Sequence, residues 1–157
     1  MIGTESIQRE VYVDASPAVV FDVVSRPEHV REWFADEAEW ESGPGGTGRL
    51  RFRDRGRGPR TESFTVVESK PPWLFVFRWT HPPAEPATET NSLLVTFDLT
   101  PSGAGTLLRL TETGFAAPGR DGETPEERFL DHVRGWRIFL PRLAPYAESL
   151  ARHHDRR

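Results

Sequence analysis

From Thr124 to Leu150 the apolar residues return every three or four positions. Phe129, Val133, Trp136, Phe139, Leu140, Leu143, Ala147 and Leu150 fall on one helical stripe together with His132, while Arg134, Arg137, Arg142 and Glu148 lie off it. A helix of roughly 25 residues, about 37 Å long, is therefore predicted to lie along a broad apolar surface. Pro141 and Pro145 sit on its water-facing side, where the carbonyls they free can be hydrated, so a kink rather than a break is expected.

Upstream the period changes to two. Ile7, Arg9, Val11 and Val13 share one face of a strand. Ser16-Pro17 then marks a helix start, and Arg26-Pro27 interrupts it before a second short helix carrying Val30, Trp33 and Phe34. Glu37 to Trp40, Arg49 to Asp54 and Thr61 to Ser69 read as strands, the last two joined through an Arg-rich tip, Arg55 to Arg60. Trp73, Phe75, Phe77 and Trp79 alternate with Leu74, Val76 and Arg78. Leu93, Val95, Phe97 and Leu99 define the next strand, and Thr106, Leu108, Leu110 and Glu112 one face of the last. The order is strand, two short helices, about six strands, long helix. Hairpins dominate, which makes the chain α+β and not doubly wound.

With 157 residues the chain fits one domain, 1–157, with 152–157 as a frayed tail. A net charge of −4 gives no general pull toward nucleic acid or an acidic membrane. The run RLRFRDRGRGPR places Arg49, Arg51 and Arg53 opposite Leu50 and Phe52, the pattern of a solvated outer face. No cysteine occurs, so disulfides and thiolate chemistry are excluded. The first residues lack an apolar signal core and no run reaches the roughly 18 apolar residues of a membrane span, so a cytoplasmic location is expected. The five histidines lack the H-E-x-x-H arrangement, and neither metal nor cofactor is expected.

Five Trp and ten Phe supply more flat apolar surface than a minimal core needs. Trp33, Trp40, Phe64, Phe77, Trp79, Trp136 and Phe139 are candidates to line a ligand cavity, against the alternative that they fill the gap between sheet and helix. Three polar residues interrupt apolar faces: Arg9, Glu112 and His132. A buried charge needs a partner, so they would either orient a polar ligand group or form structural pairs. Glu112 and His132 would be an acid-base pair if they converge.

The ordered segments DASPAVVFDVVSRPEHVREWF (Asp14 to Phe34), PPWLFVFRW (Pro71 to Trp79), TLLRLTETGF (Thr106 to Phe115) and GWRIFLPRL (Gly135 to Leu143) resemble the START-like, or SRPBCC, superfamily of helix-grip proteins. Within it they look most like the branch related to the activator of heat-shock protein 90 ATPase. The resemblance implies a seven-stranded antiparallel sheet wrapped around the long C-terminal helix, an internal cavity, and two short helices after the first strand. It implies less about activity, since the superfamily holds carriers, receptors, aromatic polyketide cyclases, drug-sequestering proteins and a co-chaperone domain. The expected function is binding, sequestration or transport of a small hydrophobic or aromatic molecule. A cyclase or dehydratase-like enzyme and a protein-interaction module of the co-chaperone type are the alternatives, and monomer and homodimer both stay open.

Overall fold

A computed structural model describes residues 6–53, 58–116 and 122–155. Strand β1 (Ile7–Val13) is followed by helices α1 (Pro17–Ser25) and α2 (Pro27–Trp33). Six further strands follow: β2 (Glu37–Trp40), β3 (Thr47–Phe52), β4 (Arg60–Lys70), β5 (Leu74–Trp79), β6 (Leu93–Ser102) and β7 (Gly105–Thr113). The chain then enters α3 (Pro125–Phe139) and α4 (Leu143–Asp155), which are joined by one 3-10 turn, Leu140–Arg142. The seven strands form one antiparallel sheet in the order β1-β7-β6-β5-β4-β3-β2. The fold is an α+β helix grip, as the resemblance implies.

Local chemistry places each boundary. The Ser16 hydroxyl caps α1 by accepting from the Val19 N–H at 3.3 Å, with Pro17 in the first turn. Thr124 and Glu127 form a reciprocal capping box at the start of α3. Pro141 tightens the helix into the 3-10 turn instead of ending it. Both Pro141 and Pro145 are exposed, on the side where losing a backbone donor costs least. The helix continues to Asp155, so the tail expected from Arg152 is helical over its first four residues, and Arg156–Arg157 lie outside the described residues. The Arg-rich tip also falls largely outside them, at 54–57.

The core lies between one sheet face and the helices. Phe64, Val66, Phe75, Phe77, Val95, Phe97, Leu99, Leu108 and Leu110 are buried from the sheet, and Trp136, Phe139, Leu140, Leu143 and Ala147 from the C-terminal helix. A bulge between Val66 and Glu68 shifts the β4–β5 register and turns Val67 outward. Arg49, Arg51 and Arg53 are exposed and pair with Glu39 at 2.8 Å, Glu37 at 3.7 Å and Asp36 at 3.3 Å, as a solvated outer face should. No described helix is long and apolar enough to cross a membrane.

Candidate binding site

Strand alternation aims Glu112 inward from the end of β7, and its side chain is 0% exposed. An unpaired carboxylate there would be very costly. Three donors from two elements answer it. Trp79 Nε1 of β5 donates to Oε2 at 2.7 Å and Trp136 Nε1 of α3 to Oε1 at 2.8 Å. His132 Nδ1, one helical turn before Trp136, lies 3.0 Å from Oε1 and 3.1 Å from Oε2. Charge-assisted bonds of this length are about twice as strong as neutral ones.

The arrangement fixes the histidine's chemistry. Burial alone would push the imidazole down, and Arg128 adds to that. The charge and hydrogen bond of Glu112, with help from Asp131, outweigh both and hold its pKa above the ordinary value of 6.5. With Nδ1 taken by Glu112, the ring can offer a ligand only Nε2. Its edges meet Trp79 at 5.3 Å and Phe115 at 5.6 Å, and 12% of the side chain stays exposed.

A group whose folded pKa exceeds its unfolded one stabilises fully below the unfolded value and loses that contribution as pH rises through the folded value. Urea midpoints are therefore expected to fall as pH rises from about 6.5 through the folded pKa. His132→Gln should flatten that part of the profile. An unchanged profile in the variant would remove His132 as its source.

His132 lines a pocket of about 300 Å³ between α3 and strands β3–β5. Its apolar surfaces are Phe34, Phe52, Trp79, Trp136, Ile138 and Phe139. Its charged lining is Arg53, Arg60, Glu62, Asp131 and Arg134. Arg60 pairs with Asp131 on α3 at 2.9 Å. A larger cleft of about 380 Å³ outside β2–β3 is lined mainly by the ion-paired Arg49, Arg51, Glu37 and Glu39, and has little apolar surface to offer.

The structure divides the sequence candidates. Trp79, Glu112, His132, Trp136 and Phe139 converge at or just behind the pocket. Trp33, Trp40, Phe64 and Phe77 do not line it; they surround a space of about 10 Å³. Trp33 donates to the Val23 carbonyl at 2.9 Å, and Phe64 is sandwiched between Trp40 at 4.2 Å and Phe77 at 4.4 Å. Arg9 is not brought to Glu112. It is exposed and donates to the neighbouring Gln8 carbonyl, because β1 is an edge strand from which a long side chain reaches water. The candidate list lacks Phe34, Phe52 and Gly135. Phe52 carried a signal, the alternation it shares with Leu50, and Gly135 carried another, a glycine in the interior of a strong helical stripe.

Gly135 is the informative omission. A Cβ built there meets nothing within 4 Å, and the residue lines the pocket one position before Trp136. Glycine inside a helix costs about 1 kcal/mol relative to alanine. What it leaves beside the helix is open space.

This architecture is shared with known proteins. The family model described as Activator of Hsp90 ATPase homolog 1-like protein matches residues 14–148. Among solved structures, protein NE0264 from Nitrosomonas europaea aligns at a TM-score of 0.73 with 15% identity, covering 100% of this chain and 99% of that one. CalU16 from Micromonospora echinospora aligns at 0.65 with 22% identity, covering 92% of this chain and 76% of its own. Aha1 from Colwellia psychrerythraea, solved as a dimer, aligns at 0.63 with 18% identity, covering 89% and 93%. At such identities the likeness is one of fold. No curated protein matches the sequence.

Proposed function

The chain belongs to the family of Activator of Hsp90 ATPase homolog 1-like proteins, and from that footing we propose that it binds a small, largely aromatic molecule in the pocket between α3 and strands β3–β5. The observation that carries this reading is the pocket itself. Its volume of about 300 Å³ stands at the small end of the range for ligand sites, and its floor of Phe34, Phe52, Trp79, Trp136 and Phe139 suits flat rings. The pocket holds the ligand and shields it from water, which is what sequestration or transport requires.

One observation favours a second reading. Glu112 and His132 meet at 3.0 Å beside the pocket, the geometry of a carboxylate-oriented general base. In that reading the same pocket supports acid-base chemistry of the cyclase or dehydratase type, with Nε2 of His132 as the proton-transferring atom. A substrate that Glu112→Gln and His132→Gln variants still bind but no longer convert would establish it.

Gly135 tests the binding reading directly. Gly135→Ala is expected to raise stability by about 0.5–1 kcal/mol, because the new methyl group meets open space. Gly135→Phe should fold as well but fill the pocket. Titration with 1-naphthol, read by tryptophan quenching, should then show at least tenfold weaker binding, about 1.4 kcal/mol. Equal binding by the parent and the Phe variant would place the ligand elsewhere. Native mass spectrometry of protein from its own host adds a check, since a retained small molecule should disappear in the Phe variant.

A further inference from the structure

Resting on the binding reading above, we propose that the pocket selects aromatic molecules carrying an acidic hydroxyl, a phenol or an enol, and seats that oxygen on Nε2 of His132. The argument starts from what lies behind the imidazole. Glu112 accepts at Nδ1 in both charge states of the ring, so Nδ1 always keeps its hydrogen. Neutral His132 therefore presents a bare Nε2 that accepts a proton. Protonated His132 presents an N–H that donates to an oxyanion. An acidic hydroxyl matches both states: its proton passes to Nε2, the O–H bond breaks as the N–H bond forms, and the resulting phenolate or enolate oxygen accepts a hydrogen bond from that Nε2–H. A neutral aromatic ring without such a group uses neither state.

The rest of the pocket agrees in shape and charge. Trp79 and Phe115 pack against the imidazole in T-shaped contacts, and only 12% of its side chain is exposed. Gly135, three residues after His132, leaves the helix backbone uncovered on the pocket side, and Phe139 follows four residues later. A flat ring lying across Gly135 thus has the imidazole on one side and the Phe139 ring on the other. The charged groups acting on the imidazole are Glu112 from β7 and Arg128 and Asp131 from its own helix; Arg134 of α3, Arg60 and Glu62 of β4 and Arg53 after β3 line the same pocket. Of the charged residues lining the pocket, Arg60 pairs with Asp131 and Arg53 with Asp36, while Arg134 on α3 adds a positive charge two residues from the imidazole.

Two probes of nearly equal shape separate the outcomes: 4-nitrophenol, whose anion absorbs in the visible, and nitrobenzene, which has no hydroxyl. The parent protein is expected to bind 4-nitrophenol at least tenfold more tightly. The bound dye should show the phenolate absorption at a pH where the free dye is still mostly protonated. His132→Gln should abolish both the preference for 4-nitrophenol over nitrobenzene and the absorption shift. Glu112→Gln, which leaves the imidazole without its anion, should reduce the shift. Equal affinity for the two probes in the parent, or a dye bound in its neutral form, overturns the proposal while leaving the binding reading intact. Failure of both probes to bind overturns the two together. The absorption of dye bound to the parent decides the matter even where a variant folds poorly.

Discussion

Glu112→Ala is expected to destabilise the fold by about 3–5 kcal/mol, the range found when one partner of a buried ionic cluster is removed. The size follows from what the carboxylate serves. Its loss leaves the indole N–H groups of Trp79 and Trp136 without the acceptors that lay at 2.7 and 2.8 Å, and deprives His132 of its counter-charge. Each orphaned buried donor alone costs about 1–3 kcal/mol. Glu112→Gln should cost less, since one oxygen still accepts, although its NH₂ group now faces donors. Urea denaturation of the parent and both variants measures this. A cycle with His132→Gln should be strongly non-additive, because the histidine has little left to lose once the carboxylate is gone. A loss below about 1 kcal/mol in Glu112→Ala would mean that water replaces the carboxylate at little cost.

Trp136→Ala carries the second large effect, about 3–5 kcal/mol for truncating a buried aromatic ring. The indole stacks on Phe34 with centroids 5.0 Å apart and planes 12° from parallel, and meets Phe97 edge-on at 6.4 Å. It also lines the pocket on one side, and that side decides the magnitude. A loss at the upper end with ligand affinity unchanged would make the ring core alone. A smaller loss together with altered affinity would make it a wall between core and ligand. Trp136→Phe separates the terms, since it keeps most of the ring contact and removes only the N–H given to Glu112.

The sequence carried the elements and much of the hub. Period two through Thr106, Leu108, Leu110 and Glu112 turns the carboxylate inward. The helical stripe through His132, Trp136 and Phe139 turns the imidazole and the indole toward the sheet. Their meeting could not be read, because it depends on how α3 crosses β5 and β7, and no local pattern encodes a crossing. The Trp79 indole bond to Glu112 was hidden for the same reason: it joins two strands that flank β6 and touches neither residue's sequence neighbours. Arg9 shows the reverse failure. Alternation places it on the inner face, where Ile7 and Val13 at the strand ends are buried, but the long side chain between them extends past the edge strand β1 into water, which alternation alone does not encode. The aromatic excess had two destinations that composition cannot separate. Trp33, Phe64 and Phe77 interlock with their neighbours, while Phe52 and Phe139 border open space.

The strand order has a consequence for how the chain assembles. From β3 to β7 each strand pairs with the one made just before it, so that part of the sheet can grow hairpin by hairpin as the chain emerges. β1 is the exception: made first, it must wait for β7, with Ile7 lying opposite Glu112. Such a long-range pairing is among the slow steps of folding, since its loop-closure entropy is lost before contacts compensate. The helix that removes the carboxylate from water is also the one that carries Trp136 and His132, so two of its three donors arrive with the element that desolvates the charge, and the third, Trp79, comes from the sheet. A helix docked out of register would bury the carboxylate without the His132 and Trp136 donors and carry the cost of an incompletely paired charge.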